Sequence, residues 1–305
     1  MKLLSFLIIL FAPFIGQVDL DFNDIFNPHS STYMILWDIR VPRVLLAFFV
    51  GGILSLGGLI FQIVFKNQMA TPFTLGVASG ATLFGAIGIV LGFGAFISIF
   101  AFVGAISTIA ILFMISLIFG SKSNSSLLLI GIAISFFYSA LLMVVFYVSD
   151  LQESYEIVQF TMGSLEIVGF TNLYLVSVVA TILLFTILRL SHQIKLLLTS
   201  NEFVLLKGQN LHQINYILLG LVSFGVAVVV SITGPIGFIG LVVPHIIKQI
   251  YKRSSDKLIL PIFFYGGVFL VFCDILARAN NDLPIGVVTS LLGAPFFVYL
   301  IVKKR

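Results

Sequence analysis

Three arginines of this sequence stand apart from its other cations and lie close to carboxylates. Arg40 and Arg43 fall in Asp38-Ile-Arg-Val-Pro-Arg43, and Arg278 closes Asp274-Ile-Leu-Ala-Arg278. A guanidinium offers a planar fork of donors that matches a carboxylate, so such a set can recognise acidic groups on a partner. The same spacing also permits local pairing, Asp274 with Arg278 at i,i+4 and Asp38 with Arg40 or Arg43. Charge alone leaves both readings open. Other chemistry finds little support. The four histidines (His29, His192, His212, His245) are scattered without ligand spacing, and one cysteine, Cys273, excludes an internal disulfide and makes a thiolate metal site improbable. His245 and Asp274 have no paired nucleophile. No catalytic residue, metal site or bound cofactor is expected, and the chain is not expected to be an enzyme.

The elements that must position those arginines follow from composition. The chain has 305 residues, 60% of them hydrophobic and only 9% charged, with a mean hydropathy of +1.18. No soluble domain of this size hides so much apolar surface. The expected class is an all-α polytopic membrane protein, a single transmembrane domain over 1–305 in contact with lipid. A pI near 9.2 would suggest nucleic acid in a soluble protein, but here it reflects loop charges, and no nucleic-acid partner is expected. Hydropathy gives ten apolar segments, at about 3–18, 42–65, 74–92, 95–119, 127–149, 168–190, 214–234, 236–251, 257–278 and 284–302. The first imitates a signal peptide, but Pro13 in the cleavage region and the apolar remainder favour an uncleaved span. With both termini cytoplasmic, 13 of the 16 Lys and Arg residues fall inside, and only Arg40, Arg43 and Arg278 fall outside. That bias supports the topology and the even number of spans.

The apolar stretch from Ile214 to Ile250 is too long for one crossing. Gly234, Pro235, Gly237 and Gly240 mark where the helix should end and restart, because Pro lacks a donor and Gly frees φ. Non-helical backbone at membrane depth is tolerated only when packed in protein or lining a watery cavity, which points to a permeation path. Close helix packing through small residues is the competing reading. Gly51, Ser55 and Gly58 offer a similar smooth face in the second segment. The loop after it places Lys66 and Asn67 at the inner surface, and Ser121-Lys-Ser-Asn-Ser-Ser126 reads as a solvated inner turn. The largest inner connection spans about 191–213. There a Ser or Thr before Glu202 can cap a short helix that Gly208 would end, while Phe203, Leu205 and Leu206 call for burial against a partner or against the chain's own membrane body.

An energy source is missing. No G-x-x-x-x-G-K-[ST] stretch occurs, and no carboxylate sits mid-span in the manner of an ion-coupled carrier, since Asp274 is close to an outer end. A transporter lacking both must draw its power from another subunit.

Across about 260 residues the chain resembles the permease subunits of type II binding-protein-dependent ABC importers for iron–siderophore, haem and cobalamin, the FecCD-like family. The matching pieces, in order, are Ile39-Arg-Val-Pro-Arg43, Gly51 to Gln62, Asn67-Gln-Met-Ala-Thr-Pro-Phe-Thr-Leu-Gly76, Leu127-Leu-Leu-Ile-Gly131 and Met162-Gly-Ser-Leu165. They continue with Gly234-Pro-Ile-Gly-Phe-Ile-Gly-Leu-Val-Val-Pro-His245, Asp274-Ile-Leu-Ala-Arg278, Leu283-Pro-Ile-Gly-Val-Val-Thr289 and Gly293-Ala-Pro-Phe-Phe297.

The resemblance implies ten spans per subunit and a path between this chain and a second permease subunit, identical or related. It also implies cytosolic ATP-binding subunits, an extracytoplasmic substrate-binding protein and a place in the cytoplasmic (inner) membrane of a bacterium or archaeon. It makes Arg40, Arg43 and Arg278 the docking socket for glutamates of the binding protein. Asn67, Met69, Asn124 and Ser125 become inner-gate positions, joining Gly234, Pro235, Gly237 and Gly240 on the path. The ATPase-coupling segment then holds Ser200, Glu202, Phe203, Leu205, Leu206 and Gly208, departing from the family pattern at Ser200 and Val204, where Gly and Ala are common. Ferric siderophore is the expected cargo, with haem and cobalamin as alternatives. A stand-alone secondary transporter with Asp274 as its ionisable site is the rival class.

Overall fold

The structure is a computed structural model that describes residues 2–118, 124–166, 168–198, 211–252 and 255–303. Among them every regular element is helical. A short α1 (Lys2–Phe11) precedes a strap that leads, through a helical turn at Ser31–Tyr33 and a π-helical stretch at Met34–Arg40, into α2 (Val41–Val64). There follow α3 (Val77–Val90), α4 (Ile97–Ile118), α5 (Asn124–Val148), α6 (Leu151–Met162), α7 (Thr171–Arg189) and the short α8 (Ser191–Leu197). The last four are α9 (Leu211–Thr233), α10 (Ile239–Tyr251), α11 (Ile259–Ala279) and α12 (Ile285–Lys303).

Among the described residues six helical stretches are long and apolar enough to cross a membrane, Ser31–Val64 and Ser255–Ala279 being two of them. Four shorter apolar helices, Ser5–Phe14, Val77–Val90, Ile239–Tyr251 and Ile285–Tyr299, fall in the remaining expected segments. The body is that of a polytopic helical membrane protein.

The bundle is built around α2, in which every residue from Val50 to Val64 is buried. Small residues explain how so many neighbours reach it. Against α11, which runs antiparallel, a Cβ added at Gly51 would lie 2.3 Å from Gly266 O. Against α10, which runs parallel, a Cβ on Gly58 would lie 1.7 Å from Gly240 O. Backbone therefore touches backbone at both crossings. The outward apolar surface sits elsewhere: α5 exposes Leu129, Phe136, Phe137, Met143 and Tyr147.

Three features depart from the sequence expectation. The second helix begins about ten residues early, at Ser31, because a wide π turn carries the chain to Pro42, which needs no donor in a first helical turn. The expected break after Thr233 is present, but it is held by a third segment, the end of α6. Helix α6 lies outside the ten apolar segments. It starts on a capping box in which Asp150 accepts from Glu153 N while the Glu153 side chain accepts from Asp150 N.

Candidate functional site

Three non-helical segments meet inside the bundle: the end of α6, residues 233–238, and the start of α12. Ser164 N donates to Thr233 O at 2.8 Å, and Ile285 N donates to Gly163 O at 3.2 Å. These bonds satisfy backbone groups that a helix break would otherwise leave bare in an apolar setting. Gly163 and Gly234 adopt φ of +72° and +66°, a region glycine enters without strain. A Cβ on Gly234 would lie 2.3 Å from Phe160 O, and one on Gly286 2.3 Å from Met162 O. Only glycine lets the three backbones converge.

The seam borders a cavity of about 720 Å³ that runs from Met162 and Gly286 along α12 to Pro295. Among the described residues Thr161 and Ser290 supply its polar side chains, and none that lines it is charged. A second cavity of about 170 Å³ lies beyond it, between Leu54 of α2, Thr71–Thr74 and the first turn of α10. It too has no charged lining. Non-helical backbone at membrane depth is tolerated where it is packed in protein or lines a cavity, and this seam does both.

At one end of the bundle the three arginines come together, as expected, but they are buried. Arg43 Nε donates to Asp274 Oδ1 at 2.8 Å, and Arg43 Nη1 lies 3.1 Å from Asp282 Oδ1. Arg278 Nε lies 3.0 Å from the other Asp274 oxygen, an ion-pair distance without hydrogen-bond alignment. The i,i+4 pairing is therefore real, whereas Arg40 and Arg43 are not paired to Asp38. Asp38 instead contributes its carbonyl, which accepts from Gly169 N at 2.9 Å. Pro42, four residues on, cannot donate to it within the helix. Arg40 donates to the carbonyls of Pro13, Phe14 and Val18, and Arg278 Nη1 donates to Ile15 O at 2.7 Å. The strap between α1 and the π turn thus closes over the cluster. Asp274 is fully buried and committed to two arginines, which removes the arrangement a carrier with a free mid-membrane carboxylate would use.

A second polar node ties α2 to α10. Pro244 has no N–H, so Gly240 O is free, and Gln62 Nε2 donates to it at 3.2 Å. Lys248 Nζ, one turn beyond the proline, donates to Gln62 Oε1 at 3.0 Å. A lone amide in an apolar helix carries no spacing signal, so the role of Gln62 is visible only in the structure.

The remaining candidates divide. Pro235 and Gly237 line the larger cavity, and Gly237 and Gly240 the smaller. Gly234 lies at the seam behind them. Asn67 and Met69 sit in a turn outside both cavities, where Asn67 Oδ1 accepts from Met69 N at 2.9 Å and the Met69 side chain is exposed. Asn124 and Ser125 open α5, but their side chains lie outside the described residues, as do Ser200, Glu202, Phe203, Leu205, Leu206 and Gly208. Up to that gap α8 is anchored, with Ile194, Leu196 and Leu197 buried.

The model of the FecCD transport family matches residues 3–303. The chain belongs to the FecCD transport family. It is 36% identical over 279 residues to a probable iron chelatin transport system permease protein of Helicobacter pylori, covering 90% of this chain and 85% of that protein. It is 35% identical to the hemin transport system permease protein HmuU of Yersinia pestis, over 95% of this chain and 90% of HmuU. A solved inward-facing conformation of a putative metal-chelate type ABC transporter superposes with a TM-score of 0.89 at 27% identity, covering 99% of this chain and 97% of the other. This FecCD protein is accordingly an ABC-importer permease with the type II fold, a multi-pass protein of the inner membrane.

Proposed function

We propose that this FecCD protein forms the path by which an iron complex, a ferric siderophore, crosses the cytoplasmic membrane into the cell. The observation that carries the reading is the uncharged lining of both cavities. A bare cation needs a ring of oxygens or carboxylates to replace its water. A chelate keeps its own ligand shell and needs only a wall that does not hold it. Among the described residues no group of His, Cys, Asp or Glu is placed to strip the metal from its ligand.

In this reading two copies of the chain, or this chain and a relative, enclose the path. Cytosolic ATP-binding subunits supply the power through the 191–213 connection, where Phe203, Leu205 and Leu206 form the apolar contact. An extracytoplasmic binding protein delivers the cargo to the arginine end. Its carboxylates would engage Arg40, Arg43 and Arg278 by exchange with the strap carbonyls, which now cover the cluster; Arg278 Nη2, buried and without a hydrogen-bond partner, would gain one once the strap is displaced.

The deciding experiment is uptake into proteoliposomes holding this chain, its ATPase and its binding protein, with labelled ferric siderophore, haem and cobalamin compared. ATP-dependent uptake of the siderophore alone supports the reading. Uptake of haem or cobalamin instead would reassign the cargo, and ATP-independent uptake by the chain alone would overturn the importer mechanism.

A further inference from the structure

The two cavities share three lining residues, Phe73, Gly237 and Phe238. Gly237 has no side chain, so the side chains common to both walls are two aromatic rings, each from a different part of the chain. Phe73 belongs to the loop between α2 and α3 and packs on the core. Phe238 begins α10 at φ +64°, a conformation that non-glycine residues rarely adopt and that persists only where surroundings enforce it. The enforcement is visible. A Cβ on Gly293 of α12 would lie 2.4 Å from Phe238 Cβ, so α12 is pressed against the base of this ring. Leu241 of the smaller cavity lies three residues past Phe238 on a helix that runs towards Lys248 and Lys252, while the larger one begins at the seam near the arginine end.

We propose that Phe73 and Phe238 form an aromatic partition across the path, and that the Phe73 ring sets the largest metal chelate that can pass. This rests on the transport reading for its cargo, but the barrier itself can be tested without transport. Phe238 is the fixed half, because its backbone is trapped between the seam and α12. Phe73 is the half that can be truncated without touching the positive-φ backbone of Phe238.

The test places one cysteine in the smaller cavity, Leu241→Cys, in a chain whose native Cys273 is fully buried. A membrane-impermeant thiol reagent is added from the arginine face of intact cells. Labelling of Cys at 241 should rise at least tenfold when Phe73→Ala is added, and likewise with Phe238→Gly, which keeps the positive φ. Equal labelling with and without both truncations overturns the partition. The size claim is read separately in proteoliposomes as the ratio of uptake of a bulky to a compact ferric chelate. That ratio should rise several-fold in Phe73→Ala; an unchanged ratio overturns the role of Phe73. Absence of uptake by every variant and the parent would sink the transport reading while leaving the labelling result to stand by itself.

Discussion

Arg43 Nε and Asp274 Oδ1 lie 2.8 Å apart although 231 residues separate them in the chain. This contact, with the Asp274–Arg278 pair beside it, joins the entry of α2 to the exit of α11. Removing one partner leaves buried charge uncompensated, which costs about 3–5 kcal/mol, whereas replacing the pair by apolar groups can be neutral.

Asp274→Ala should therefore lower the thermal midpoint of the detergent-solubilised protein markedly, by an amount matching about 3–5 kcal/mol. Arg43→Met combined with Asp274→Leu should recover part of the loss, though Arg278 then still lacks its partner. Additive losses in the double variant would show that the two residues do not act as a pair.

Gly58 and Gly240 make the second prediction. A Cβ on Gly58 would lie 1.7 Å from Gly240 O, so α2 and α10 would have to part. Overpacking of this kind costs about 1–3 kcal/mol or more, and the amount of folded protein recovered from membranes should fall. Gly220 in α9 provides the control. Its nearest neighbour to an added Cβ is 3.9 Å away, so Gly220→Ala should be neutral or stabilising by up to about 1 kcal/mol through helix propensity. Size-exclusion profiles of the two alanine variants, compared with the parent, check both outcomes.

Much of the bundle was legible because apolar length and Gly/Pro punctuation are local signals. The break at Gly234–Gly237 and the meeting of Arg40, Arg43 and Arg278 follow from residues that announce themselves. What escaped depends on partners distant in sequence. The strap carbonyls over Arg40 and Arg278 belong to backbone and leave no residue-type trace. Gln62 matters only because Pro244, far along the chain, frees Gly240 O. Phe238 looks like any apolar residue of its motif, and its left-handed φ arises from packing against α12. Asp150 and Glu153 carry a capping signature, but α6 is too polar to register as an apolar span.

The node at Gln62 makes a third prediction. Gln62→Leu is close in size, but it orphans the Gly240 carbonyl and takes from Lys248 its bond to Oε1. An unsatisfied buried acceptor costs about 1–3 kcal/mol, and the first turns of α10 should loosen against α2. Hydrogen exchange at residues 241–248 should quicken by about tenfold or more, and Gln62→Glu should restore the hold on Lys248 but not on Gly240 O. Unchanged exchange in Gln62→Leu would mean that helix packing alone fixes α10.

Arg40 separates the two roles of the arginine cluster. In the structure its hydrogen bonds go to the strap carbonyls of Pro13, Phe14 and Val18, and it takes no part in the ion pairs around Asp274. Arg40→Gln should thus spare the fold more than any change at Arg43 or Arg278. If Arg40 also meets a carboxylate of the delivering protein, the concentration of loaded binding protein giving half-maximal uptake should rise about tenfold, equivalent to about 1.4 kcal/mol. Arg40→Lys, which keeps the charge but loses the fork, should fall between. Raising ionic strength should weaken docking of the parent more than that of Arg40→Gln, because salt screens the approach of a carboxylate to a charge that the variant lacks. Half-saturation that is the same in all three proteins, at low and high salt, would confine Arg40 to holding the strap.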